Sequence, residues 1–204
     1  DFQGRTRDYV IWNDSKSQTF QLPLGDFQPL EVQFDPDYWI YKAMASSTTA
    51  PLPTLESVRS VSGGQAAEIR WRSGGAATTG YMLIRSVDLN NWTIVAGAET
   101  LTAATTSYQD TTTSPGVAAY YRVRAFASGA SPSALSDIYG ACGGREGAGR
   151  VLIVDGYDRW DTQGRGTSHP WAAWHGAAAA PHGVAFDTCA NEAAENATIA
   201  LGDY

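Results

Sequence analysis

Residues able to do chemistry concentrate in one stretch, "RVLIVDGYDRWD", Arg150 to Asp161. Four branched apolar residues, Val151 to Val154, run into Asp155-Gly156 and then into Asp158, Arg159, Trp160 and Asp161. Open α/β sheets hold their ligands beyond the carboxyl ends of their strands. Carboxylates at such an end can do acid–base work, orient a sugar or bind a metal. Asp155 and Asp158, with His169 downstream, are therefore the candidate catalytic set, and Trp160 and Arg159 the candidate ligand contacts. A second reading stays open, in which Asp155-Gly156 forms a turn and Asp158 pairs with Arg159 or caps a helix. Paired acid–base work also needs a carboxylate across the cleft, and the sequence does not place one.

The remaining reactive side chains point to no compact centre. His169, His175 and His182 are the three histidines, and their spacing matches neither HExxH nor another short ligand motif, so no metal and no cofactor are expected. Cys142 and Cys189 are the two cysteines; they suit neither a CxxC redox pair nor a four-ligand zinc site, and are expected to form one disulfide in an oxidising compartment. A buried free thiol is the alternative. As a nucleophile Cys189 would lack elbow glycines, and every histidine lies upstream of it. Of the tryptophans, Trp12, Trp160, Trp171 and Trp174 are candidates for stacking on sugar rings, while Trp39 and Trp92 read as core or sheet-edge residues. Asn91-Trp-Thr and Asn196-Ala-Thr match the glycosylation sequon and read as ordinary loops.

The elements that must position these residues follow from composition and pattern. The chain has 204 residues, 43% hydrophobic and 17% charged, with a formal net charge of −7. It can build cores, and its acidity argues against nucleic acid, which asks for a basic face. No apolar run is long enough to span a membrane. Residues 1–43 carry short β-rich runs, "DYVIWND", "QTFQLPL" and "LEVQFDPDYWIYK", the last with Leu30, Val32 and Phe34 on one side. They are expected to be the closing strands of a β-sandwich. Residues 44–53 form a linker of small residues and prolines. Over 54–141, short strands recur with turn signals between them, and the alternation of Tyr121, Val123 and Ala125 against Tyr120, Arg122 and Arg124 predicts a half-buried antiparallel strand. A Gly-rich linker, 142–149, is flexible on this reading unless Cys142 tethers it. In 150–204 a strand at Val151 to Val154 precedes a helix begun by Pro170, with Trp171, Trp174 and His175 on one face. A short strand at Val184 to Phe186 and a polar loop or helix over "NEAAENA" complete the order.

Three resemblances accompany these patterns. "VQFDPDYWIYK" resembles the closing strand of β-sandwich modules in secreted bacterial metallopeptidases. Trp71, Tyr81, Tyr108-Gln-Asp110 and "YYRVRAFASGASPSALS" resemble a fibronectin type III domain over about residues 51–141, which implies that Trp71 and Tyr121 form the core between its sheets. "VLIVDGYDRW", His169, "FDTCANEA" and "LGDY" resemble the start of the glutamine-amidotransferase-like α/β domain of secreted modular bacterial proteins, often labelled xanthan lyase or golvesin-associated. The expected fold is thus mainly β: a partial β-sandwich, a fibronectin type III β-sandwich, then an incomplete α/β segment of flavodoxin-like, parallel-sheet type.

The function that follows is an accessory scaffold or binding region of a larger secreted bacterial multidomain protein, at the cell surface or outside it, associated with polysaccharide or cell-wall processing. Its expected partners are the rest of a larger polypeptide or neighbouring subunits, and polysaccharide. The chain alone reads as a non-enzyme. The competing readings are a fragment of a secreted hydrolase or polysaccharide lyase, with its site at the end of the Val151–Val154 strand, and a structural subunit of an extracellular assembly.

Overall fold

The structure, a computed structural model, describes residues 9–12, 19–23, 49–144, 149–156 and 169–204. The chain divides into two compact units, Asp1–Ala45 and Ser46–Tyr204. In the first, the Tyr9 hydroxyl donates to the Pro23 carbonyl at 2.5 Å. Residues 9–12 and 19–23 belong to no strand, contrary to expectation: Val10 and Trp12 are exposed, so this run has no core face to hold it in a sheet. The "LEVQFDPDYWIYK" strand and Trp39 lie outside the described residues.

The second unit begins with a hairpin. Strand β1 (Thr54–Val61) and strand β2 (Ala66–Arg72) pair antiparallel, with one extra residue, Glu56, bulging between Leu55 and Ser57. The tight turn between them takes positive φ at Ser62, Gly63 and Gly64. Strand β3 (Thr78–Ser86) pairs with β4 (Thr93–Ala96) and with β6 (Ala119–Ala127), β5 (Ser107–Asp110) pairs with β2, and β7 (Tyr139–Ala141) pairs with β6. The order β5-β2-β1 faces β4-β3-β6-β7. Alternating residues of both sheets fill the space between them, with Trp71, Tyr81, Tyr121, Leu55, Ile69, Leu83 and Val123 fully buried. The Trp71 and Tyr81 rings meet edge to face at 5.5 Å. Tyr121 donates its hydroxyl at 2.9 Å to buried Asp110, which also receives Arg85 and Thr112. The core positions expected for Trp71 and Tyr121 are occupied by these residues.

Strand β6 is not half-buried. Its second face, Tyr120, Arg122 and Arg124, is buried too. The segment after β6 returns alongside it, with Ser133 and Ser136 donating their backbone N–H groups to Ala125 and Val123. Arg122 lies over the Trp92 ring and donates Nε to the Ser136 carbonyl, so a strand that alternates apolar and basic residues has both faces covered.

Two further strands extend the first sheet. Strand β8 (Arg150–Asp155) and strand β9 (Ala185–Ala190) pair in parallel over six residues, joined through helix α1 (Trp171–Ala179). Strand β9 pairs antiparallel with β1 at Ser57 and Val58, giving the five-stranded order β5-β2-β1-β9-β8. It is longer than the Val184–Phe186 expectation, and every residue in it is buried. Alanine favours helix in α1, and its small side chains let Ala172 and Ala173 lie flat on the sheet. Gly176 comes so close that a Cβ there would sit 2.4 Å from the Phe186 ring. A short helix, α2 (Asn191–Glu195), follows β9, and Leu152, Cys189, Ala193 and Ile199 form a small second core beneath it.

The Gly-rich segment after β7 is pinned, not loose, as far as Gly144. The Cys142 N–H donates to the Phe186 carbonyl at 2.8 Å, and the Phe186 N–H returns the bond at 3.0 Å. Gly143 crosses the β1–β2 turn so tightly that a Cβ on it would lie 2.4 Å from the Gly64 Cα. The expected Cys142–Cys189 disulfide is absent, and both residues are buried free thiols. The register explains this: Cys142 pairs with Phe186, and Cys189 stands three places further along β9. At roughly 3.3 Å per strand residue that offset approaches 10 Å, beyond the ~7 Å Cα separation a disulfide can bridge.

Candidate functional site

The carboxyl ends of β8 and β9 lie side by side, with Asp155 opposite Ala190. Asp155 closes β8 because Gly156 follows it, and Asn191 and Glu192 open α2 beside it. The Leu152, Ile153 and Asp155 side chains are half-buried, whereas Val151 and Val154 are 41% and 42% exposed on this outermost strand. Below the strand ends lies β7, and Tyr139 in it is buried among acidic neighbours. Its hydroxyl is held well above the usual tyrosine range by burial and then by the charges of Asp155, Asp137, Cys189 and Glu192.

His169 reaches the same place from the start of α1. Its backbone N–H donates to Asp137 Oδ1 at 2.7 Å, its ring Nδ1 lies 3.7 Å from the same oxygen, and its carbonyl receives the Ile138 N–H at 3.5 Å. Asp137 is thereby the hub of the site. Burial raises its carboxyl above the ordinary aspartate value, the His169 N–H and ring charge pull it back, and the Asp155 charge raises it further. Cys189, one residue before Ala190, is pushed up to about 11 by burial and by Asp187 and Asp155, which leaves it a poor nucleophile.

Of the candidate residues, His169 is bonded to Asp137, and the Asp155 charge raises the Asp137 carboxyl. Asp158, Arg159 and Trp160 lie outside the described residues. His175 and His182 are exposed on and after α1 and do not converge on His169, and the described residues hold no group of three His, Cys, Asp or Glu side chains arranged for a metal. Trp171 and Trp174 are 44% and 54% exposed on the outer face of α1, with their rings edge to face at 5.0 Å.

Three residues that organise this region were missed. Asp137 lies in "ALSDIYG", where nothing in the spacing separates it from an ordinary loop acid. Arg150 and Asp187 meet at the opposite, amino-terminal end of β8 and β9, and their signal was a charged residue inside or bordering an apolar strand, a position that charges occupy only when paired.

Three strands facing four, in the order described, define the class: the second unit carries a fibronectin type III-like β-sandwich. Among solved structures the chain is similar to a Fn3-like protein from Clostridium thermocellum, at 28% identity over 44% of this chain and 88% of that one, with a TM-score of 0.38. It is similar also to the third fibronectin III domain of the human KIAA0343 protein, at 15% identity over 49% of this chain and 88% of that one, with a TM-score of 0.37. A beta-1,2-glucanase from Parabacteroides distasonis matches at 23% identity over 48% of this chain, which spans 13% of the enzyme, with a TM-score of 0.38. No family model matches the chain, and no curated protein matches it. No helix among the described residues is long and apolar enough to cross a membrane.

Proposed function

We propose that this chain is a scaffold region of a larger secreted protein, in which a fibronectin type III-like sandwich carries and orients the opening β-α-β unit of an α/β domain of the glutamine-amidotransferase-like kind. One observation carries this reading: β9 pairs along β1, so the sandwich sheet runs without a break into the parallel β8–β9 pair. Parallel strands are normally interior, covered on both faces. Strand β8 has that composition yet stands outermost among the described strands, as expected of a strand that further elements cover. Association with polysaccharide or cell-wall material follows from the resemblance of "VLIVDGYDRW" and "FDTCANEA", and the exposed Trp171 and Trp174 rings offer flat apolar faces suited to sugars.

The scaffold reading is tested by loosening the sandwich and observing the attached unit. Trp71→Ala removes a fully buried indole, a change that costs about 3–5 kcal/mol. Hydrogen exchange should then speed up over 185–190 as well as over 66–72. Full protection of 185–190 in a chain whose sandwich exchanges freely would show that the two fold independently.

The His169–Asp137 contact beside the end of β8 favours a second reading, a secreted hydrolase or lyase fragment with Asp155 and His169 at its site. On this reading Asp155→Asn abolishes polysaccharide cleavage without lowering the melting temperature, and unchanged turnover rejects it.

A further inference from the structure

At the end of β8 and β9 away from Asp155, one carboxylate gathers groups from three distant parts of the chain. Asp187 is fully buried in the middle of an apolar strand. Its Oδ1 receives the Ser60 N–H of β1 at 2.7 Å. Its Oδ2 receives Arg150 Nε at 3.1 Å, Arg150 Nη2, and the hydroxyl of Tyr204. The Arg59 guanidinium stands 4.0 Å away. Arg150 does not stop at the carboxylate: Nη2 also donates to the Ser60 carbonyl at 2.7 Å, and its guanidinium lies 5.6 Å from the centre of the Tyr204 ring. Burial and the bond to Asp187 push the Tyr204 hydroxyl up to about 12, so it stays protonated and donating.

The backbone seam between the sandwich and the attached unit is short by comparison. Strands β1 and β9 share two residue pairs, Ser57 with Cys189 and Val58 with Thr188. Next to these pairs β9 is held by the Cys142–Phe186 bonds and by Thr188 Oγ1, which accepts the Gly140 N–H and donates to the Gly140 carbonyl, each at 2.8 Å. Beyond the β1–β9 pairs the ladder stops, and the Ser60 backbone turns its N–H and carbonyl to Asp187 and Arg150.

We infer that Asp187 is a latch, an ionic lock at the end of the seam that fixes the β8-α1-β9 unit to the edge of the sandwich. A buried carboxylate with charge-assisted bonds is strong when complete and costly when its partners are left unmatched. Loss of Asp187 leaves the Ser60 N–H without its acceptor and Arg150 without its ion-pair partner, while Trp71, Tyr81 and Tyr121 make no bond to Asp187 and stay packed between the two sandwich sheets. The attached unit therefore comes loose before the sandwich does.

The inference rests on the scaffold reading, and hydrogen exchange on the whole chain separates the two. Protection of 185–190 in the unaltered chain supports the seam, and rapid exchange there overturns both the seam and the latch. Given that protection, Asp187→Asn should raise exchange over 150–155 and 185–190 at least tenfold, with 66–72, 78–86 and 119–127 unchanged. Unchanged exchange at 185–190, or an equal rise everywhere, overturns the latch and leaves the seam standing. If Asp187→Asn fails to fold, Tyr204→Phe, which removes one donor only, should raise exchange over the same two stretches. No local rise in that variant overturns the latch as well.

Discussion

Asp137 is where the chemistry of the site can be weighed residue by residue. Its carboxyl is raised above the free value chiefly by burial, with the Asp155 charge adding to it, so ionisation at neutral pH works against the fold. Because its folded value lies above its unfolded one, its favourable contribution is complete at acid pH and is lost as pH rises through the folded value. Asp137→Asn keeps an oxygen for the His169 N–H and removes the charge. Its melting temperature at pH 7 should equal or exceed that of the unaltered chain, and any gain should vanish as pH falls toward 4. A marked loss at pH 7 would mean that attraction to His169 and Arg122 outweighs burial. Asp155 and His169 carry local signals in the sequence, an acid after an apolar strand and a histidine before a helix. Asp137 does not, since its role comes from the return of the chain beside β6, a contact between residues distant in sequence.

At the scale of elements, strands and helices were more readable than their environments. Val151 to Val154, Pro170 before α1, and the alternation in β1 to β6 each carry a local signal, and the elements stand where those signals fall. What failed was inference about neighbours. Arg122 and Arg124 look solvated in sequence, yet Trp92 and the 131–138 segment cover their face of β6. Gly143 looks like part of a flexible linker, yet it is small because the Gly64 backbone is against it. Asp187 looks like a strand-end acid, yet it is the innermost charge in the unit, and only the three-way meeting of β1, β8 and the Tyr204 end makes it affordable there. Gly176 likewise records the close approach of α1 to Phe186. Each of these depends on tertiary packing, which local pattern does not encode.

For the whole molecule, the central claim is that β8 and β9 are built into the sheet of the fibronectin type III-like sandwich. The two cysteines are natural reporters of that joint, because Cys142 bridges to β9 and Cys189 pairs with Ser57 of β1, and both are buried free thiols. Unfolded without reductant, the chain should yield two titratable thiols. The most direct measurement is thiol labelling of the native chain across a urea series, with sandwich fluorescence followed in parallel. Labelling of both cysteines should stay slow until the sandwich signal falls, then rise with the same midpoint. Cys189 labelling at the rate of an unfolded thiol, in buffer where the sandwich signal is intact, would contradict the joint and with it the scaffold.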